Sequence, residues 1–339
     1  MMPNTSRTAL ILDTDGGVDD AMALLLALAH PSLELLGIGS TFGQGSGQQA
    51  LDNAIHLCAL ASRRIPVHEG AHTPLRKTPV YPDPSVHGAD GLGNLPRRSA
   101  AGYAPETPTA ARFIVSQAQA RPGQVALLML GPLTNLAQAL RLEPRLPALL
   151  GEVFVSGGSI LAPGHVTPVA ETNVWHDPHA ADIVFTAGFR LTQVGLDIAH
   201  QMPVPLALFE QIAARQQHPA SDALLHAARF YADSCQRAFP ELAQPPACLA
   251  QDLLALLAWL QPELFFTQPG RIRVVCEGLA QGQTILDRRA NAAYATDAWS
   301  EQIPLSRVCL RVDAPAALAF FERLMMQPGI FGQPSPAAP

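Results

Sequence analysis

The feature that most constrains this chain is a short apolar run, Ala9 to Leu12, that stops at Asp13-Thr14-Asp15-Gly16-Gly17-Val18-Asp19-Asp20. Without polar alternation, Thr8 to Leu12 reads as a strand buried on both faces, which belongs in a parallel sheet. The Ala- and Leu-rich stretch Asp20 to Ala29 reads as a helix closed by His30-Pro31. Strand, acidic turn and helix in direct succession put the acids at the carboxyl end of a strand, where open parallel sheets bind ligands. Carboxylates so close in sequence repel one another unless a cation or hydrogen-bond donors offset their charge. Gly16 and Gly17 allow the tight turn that lets several of them converge. Helix capping accounts for Asp19 or Asp20, but not for Asp13 and Asp15.

The same rhythm continues along the chain. Leu33 to Phe42, Val125 to Leu130, Val153 to Ser156 and Leu191 to Val194 read as strands. Between them, helices are expected over Gln48 to Ala61, from a capped start at Thr107-Pro108 to Ala120, over Leu133 to Leu140, and from Asp177-Pro178 to Ala187. Beyond residue 200 the pattern turns helical, over Leu206 to Gln216, Ser221 to Arg237 and Cys248 to Leu260. Strands follow near Arg271 to Cys276 and Val308 to Val312, with a last helix from Pro315 to Met325. The fold class is therefore α/β, a mainly parallel central sheet flanked by helices with added C-terminal helices. We expect a single domain over residues 1–327 and a Pro-rich tail over 328–339. The Pro- and Gly-rich segment from Ala71 to Pro108 is long for a connection and reads as a lid or substrate loop.

Composition narrows the class of partner. The chain is 48% hydrophobic and 15% charged, as suits a globular protein rather than a disordered one. Its net charge is −6 and Lys77 is its only lysine, so it lacks the basic stripe that nucleic acid requires. The apolar run after Arg7 is too short for a signal peptide or membrane span. Five scattered cysteines without a CxxC pair suit free thiols in a reducing compartment. These features predict a soluble cytoplasmic protein with a small-molecule partner, and neither nucleic acid nor a membrane.

Carboxylate oxygens are hard ligands, so a cation at the acidic turn should be Ca²⁺ or Mg²⁺ rather than zinc. Two known patterns begin this way. Haloacid dehalogenase-type phosphohydrolases have DxDG followed by Thr, with Asp13 as nucleophile and Asp15 as acid. Here Gly17 follows instead, Lys77 lies in a Pro-rich loop, and no later strand ends in an acidic pair. The segment from Ile11 to Leu24 more closely resembles the signature of the inosine-uridine-preferring nucleoside hydrolase family. Further blocks resemble that family in its order: Leu35 to Ile38, Gly131 to Ala137, Ala139 to Pro144, Gly157-Gly158, Pro168 to Asn173, Asp177-Pro178 and Val194 to Asp197. The similarity spans residues from about 8 to 325.

The resemblance implies Ca²⁺-dependent hydrolysis of the N-glycosidic bond of a ribonucleoside to ribose and free base, as used in nucleoside salvage, by a homodimer or homotetramer. It implies Asp15, Asp20 and Asp252 as metal ligands, joined by the main-chain carbonyl of Leu130. Asp15 would also take the proton of the attacking water. Asp13 matches a position that supports the ligands. Asp19 and Asn173 match residues that grip the ribose diol, and Glu171 one that binds the 5′-hydroxyl. Trp175 and His176 read as structural.

Departures cluster at the base and the 5′ end. Gln251 stands where purine- and uridine-cleaving members commonly have a His that protonates the leaving base, and Gln cannot donate a proton at neutral pH. Gln44 and His165 each stand in place of an Asn, and Thr172 in place of a Phe. His87, Tyr231 and Arg237 are further candidates for leaving-group contacts. An N-ribohydrolase is the leading reading; the alternative is a ribose- or nucleoside-binding protein that has lost efficient turnover.

Overall fold

Nine strands form one sheet in a computed structural model that describes residues 8–80, 83–96, 104–289, 294–296 and 298–332. They are β1 (Thr8–Thr14), β2 (Leu33–Ser40), β3 (Val67–His68), β4 (Val125–Met129), β5 (Val153–Ser156), β6 (Leu191–Val194), β9 (Phe265–Val274), β10 (Thr284–Asp287) and β11 (Ser306–Val312). The order is β10-β9-β11-β6-β5-β4-β1-β2-β3. A separate two-strand ladder joins β7 (Val204–Pro205) to β8 (Ala247–Cys248). Pairing is parallel from β3 across to β11, as expected. The edge is antiparallel, with β9 running against both β11 and β10.

The apolar character of β1 follows from its place. Leu10 and Leu12 face one core, which also receives the helices Val18–Ala29, Gly47–Leu60 and Gln251–Leu260. Ile11 faces the other, built with the helices Ala110–Ala120, Thr134–Leu142 and Pro178–Thr186. Leu24, Leu25 and Leu26 are fully buried, each worth about 1.5–3 kcal/mol relative to exposure. That burial offsets the cost of the desolvated acids at the same helix's start. Strand order reverses between β1 and β4, since β2 and β3 lie on one side and β5 and β6 on the other. A doubly wound sheet opens a crevice at such a switch point, and the turn that follows Asp13 stands there.

Several boundaries differ from the sequence expectation. The helix expected from Thr107-Pro108 begins at Ala110 with Thr109 as N-cap. The chain before it stays extended because Glu106 N–H donates to Val67 O at 2.8 Å and Ala110 N–H to Glu69 O at 2.9 Å. The helix expected from Cys248 begins at Gln251, because Cys248 is drawn into pairing with Val204. Within the long 71–108 segment lies a one-turn helix, Pro84–His87, capped by Asp83. At the C-terminus Phe331 is buried and stacks on His218 with centroids 5.5 Å apart, so the chain stays packed beyond residue 327; residues 333–339 lie outside the described residues. Among the described residues, no helix is long and apolar enough to cross a membrane.

Candidate active site

A cavity of about 400 Å³ opens at the switch point. Asp15 and Asp19 line it from the turn after β1, Glu171 and Asn173 from the helix Thr172–His176 and its cap, and Gln251 and Asp252 from the first turn of the Gln251–Leu260 helix. Among the described residues lining it, none is Lys or Arg. Lys77 instead packs over the Trp175 ring, 3.4 Å from its centroid, and donates to the Trp175 carbonyl. The phosphate-directed reading therefore lacks its cation.

The turn itself is built by backbone constraints. Gly16 adopts φ +80°, and a Cβ there would stand 2.7 Å from Ala50 Cα. Gly17, by contrast, is extended and N-caps the first helix, its N–H donating to Asp20 Oδ2 at 3.0 Å. Asp20 Oδ1 accepts from the Thr14 hydroxyl at 2.5 Å and from Asp15 N–H at 3.2 Å. Asp20 therefore does serve the helix start, yet its carboxylate is turned back into the cluster. Across the crevice, Gly43 clears space for Asp15, whose Oδ2 accepts from Gln44 N–H at 3.1 Å; a Cβ at Gly43 would collide with that oxygen.

Asp15, Asp19, Asp20 and Asp252 are all buried. Burial pushes Asp19 from its ordinary 3.8 to about 7, with the Asp20 charge adding to the rise. Asp15 and Asp252 are held well above the carboxylate range, again by burial first and neighbouring aspartates second. The neighbouring Asp20 carboxylate contributes to the rise at Asp15, a like-charge repulsion that a bound cation would relieve. Carboxylate oxygens of Asp19, Asp20 and Asp252 lie within 4.8 Å of one another. This compact trio contains Asp19 where Asp15 was expected, with Asp15 at its side. Buried, all-oxygen and without a basic counter-charge, the donor set fits a hard divalent cation.

Asp13 lies behind the cavity and does not line it. Its Oδ2 accepts from Asn135 Nδ2 at 2.8 Å, while Oδ1 has no partner, and burial pushes the group up to about 7. Asn135 also donates to Ser40 O and accepts from Ala71 N–H. The Leu130 carbonyl accepts from Asn173 Nδ2 at 2.6 Å, which joins the expected carbonyl ligand to the expected diol residue.

The remaining candidates divide. His87 is buried in the wall; its Nδ1 accepts from Val18 N–H at 3.1 Å, and burial pulls it down to about 3, so it is a neutral Nε2–H donor. It stacks on Tyr231, centroids 4.9 Å apart, and the Tyr231 hydroxyl donates to Leu249 O. Gln44 and His165 both line the cavity. His165 Nε2 accepts from Thr172 N–H at 3.0 Å and contacts the Thr172 hydroxyl, so two departures from the family pattern pair with each other. Arg237 is exposed, outside the lining, and donates to Ser85 O at 3.1 Å. Trp175 and His176, read as structural, belong to the cavity wall. Thr14, Asn135 and Ser156 carried no expectation, although each supports an acid. Thr14 and Asn135 carried a signal only as polar residues inside family-like blocks, because short polar side chains reveal little until their partners are placed.

The sequence profile described as inosine-uridine preferring nucleoside hydrolase matches residues 10–319. Uridine nucleosidase 1 of Arabidopsis thaliana is 33% identical over 321 residues, covering 94% of this chain and 93% of that one. The structure of a plant nucleoside hydrolase superposes with a TM-score of 0.89 at 31% identity, over 95% of this chain and 100% of the other. A purine-preferring ribonucleoside hydrolase from Gardnerella vaginalis gives 0.85 at 28% identity, over 95% and 99%.

Proposed function

Since the chain belongs to the inosine-uridine preferring nucleoside hydrolase family, we propose that it is a Ca²⁺-dependent N-ribohydrolase whose first substrate to test is uridine. Hydrolysis of a ribonucleoside N-glycosidic bond is the activity of its relatives by name, along nearly the whole chain. Uridine leads because curated relatives at 32–35% identity carry that substrate in their names. The observation that carries the reading is the convergence of buried Asp15, Asp19 and Asp252 on one cavity, with Asp20 against Asp19 and Asp252 and neither Lys nor Arg in the described lining.

When bound, a divalent cation supplies Lewis acidity and the charge that offsets these carboxylates. Asp20 and Asp252 would hold it with Asp15 and the Leu130 carbonyl, and the proximity of Asp19 to the trio gives that residue a share. Asp13, itself held by Asn135, would support the set from behind. Asp15 accepts a proton from the attacking water as the water oxygen bonds to C1′. The C1′–N bond breaks through an oxocarbenium-like state, and its electron pair leaves with the base. Asp19 and Asn173 hold the diol, and Glu171 the 5′-hydroxyl. His87 can offer the departing base a neutral N–H, as Tyr231 stacks behind it.

The leaving-group site is altered, since Gln251 replaces an acid; activated leaving groups should therefore react disproportionately well. Free cysteines suit a cytoplasmic location, and a homodimer or homotetramer is the expected assembly. The test is a nucleoside panel assayed for released sugar. Release from at least one ribonucleoside, lost in Asp15→Ala, is expected. Equal background release from parent and variant across the panel would sink the proposal.

A further inference from the structure

Gln251 occupies the position of a leaving-group acid, yet its surroundings give it other work. It is 5% exposed and directly precedes Asp252 in the first turn of its helix. Its Nε2 donates to Ser156 Oγ at 3.1 Å and faces Glu171 Oε1 at 3.4 Å. The Ser156 hydroxyl also stabilises the Asp252 carboxylate. A carboxylate only accepts, so Glu171 requires a donor, and the Ser156 hydroxyl can accept from the same nitrogen. The amide nitrogen must therefore be the atom directed at both, which settles the orientation of the side chain on chemical grounds.

Apart from His165, whose Nε2 lies 4.0 Å from Oε1, Glu171 is otherwise held by backbone. Its Oε1 accepts from Asn173 N–H at 2.9 Å, and Oε2 from Gly158 N–H at 2.9 Å and Val174 N–H at 3.0 Å. Gln251 is the side chain that completes this cradle and ties it, through Ser156, to the acidic cluster. A primary amide has two N–H groups on one nitrogen, so one residue can serve both partners. A histidine ring nitrogen can serve only one of them, and an apolar side chain neither.

We propose that Gln251 is a positioning residue that orients Glu171 toward the sugar's 5′ end and Asp252 toward the cluster, and takes no part at the leaving base. This rests on the reading of Glu171 as the 5′-hydroxyl ligand. It makes the enzyme selective for ribosides with a free 5′-hydroxyl, and leaves the base to depart without help from residue 251.

Ratios of kcat/KM between two substrates in one preparation do not depend on the fraction of active or metal-loaded enzyme, which makes them the right readout. Uridine, 5′-deoxyuridine and p-nitrophenyl riboside are compared in the parent, Gln251→Ala and the volume-preserving Gln251→Met. The preference for uridine over 5′-deoxyuridine should fall by about tenfold in both variants, as for loss of a charge-assisted contact. The uridine to p-nitrophenyl riboside ratio should stay within about twofold, since no contact to the leaving group is removed. An unchanged 5′ preference, or a leaving-group ratio that moves as far as the 5′ ratio, would overturn the proposal. Calorimetric binding of ribose and 5-deoxyribose in Ca²⁺ runs alongside. A parent that prefers ribose but cleaves no nucleoside refutes the hydrolase reading alone, and loss of that preference in Gln251→Ala still tests the positioning role.

Discussion

Asp19→Asn should stabilise the metal-free protein and do so in a pH-dependent way. The isosteric change keeps an oxygen for the N–H groups of Asp19 and Asp252 that the carboxylate now accepts, while it removes a buried charge. The folded-state pKa of Asp19 is raised from 3.8 to about 7. Its favourable contribution is thus complete below the unfolded value and is lost as pH rises through the folded one. At about 1.4 kcal/mol per pH unit, the full loss is about 4 kcal/mol at pH 8 and under about 2 kcal/mol at pH 5. Unfolding entropy of about 2.1 cal/mol/K per residue gives about 0.7 kcal/mol/K for 339 residues. The Asp19→Asn change should therefore raise the melting temperature in chelator by about 6 °C at pH 8 and by about 2 °C at pH 5. With saturating Ca²⁺ the variant's advantage should shrink, because the parent gains about 3–4 kcal/mol at 100–1,000 times Kd and the variant gains less. Melts by circular dichroism at both pH values, with and without Ca²⁺, provide the measurement. A lower metal-free melting temperature for the variant at pH 8, or equal shifts at the two pH values, would refute the electrostatic reasoning.

Other perturbations address the scaffold. Gly43→Ala puts a Cβ against Asp15 Oδ2, and a displaced catalytic carboxylate should lower kcat by about 100-fold with the fold intact. Asn135→Leu removes the donor to buried Asp13 Oδ2, which should cost about 1–3 kcal/mol in urea unfolding. Lys77→Met gives up both the Trp175 ring contact and the bond to the Trp175 carbonyl, a loss of about 1–2 kcal/mol by the same assay. Lys77→Arg should retain most of it, since a guanidinium stacks on aromatic faces as well.

The fold was legible wherever apolar period and punctuation agreed. β1, β4, β5 and β6 are short runs buried on both faces, and these stand where the residue pattern puts them. β3 and β10 were not legible, because two residues in one case and an exposed edge in the other leave no periodic signal. Thr107-Pro108 misled by local chemistry: cap and proline suit a helix start, but tertiary bonds to β3 hold the chain extended for two residues more. In the site, the acidic turn and the family-like blocks single out Asp15, Asp19, Asp20 and Asp252; Asp15, Asp19 and Asp252 line one cavity, and Asp20 lies against Asp19 and Asp252. The closeness of Asp19 to Asp20 and Asp252 was not legible, since side-chain reach from a turn does not follow from spacing. Arg237 lies outside the cavity lining. Its position on the Pro219–Ala238 helix turns the guanidinium out to Ser85.

The most direct test of the central claim is the rate of ribose release from uridine as free Ca²⁺ is titrated from chelated to millimolar, in the parent and in Asp252→Asn. The account predicts saturable activation in the parent, return to background on chelation, and little activity in the variant at any Ca²⁺ concentration. Undiminished turnover in chelator, with the variant as active as the parent, would contradict it.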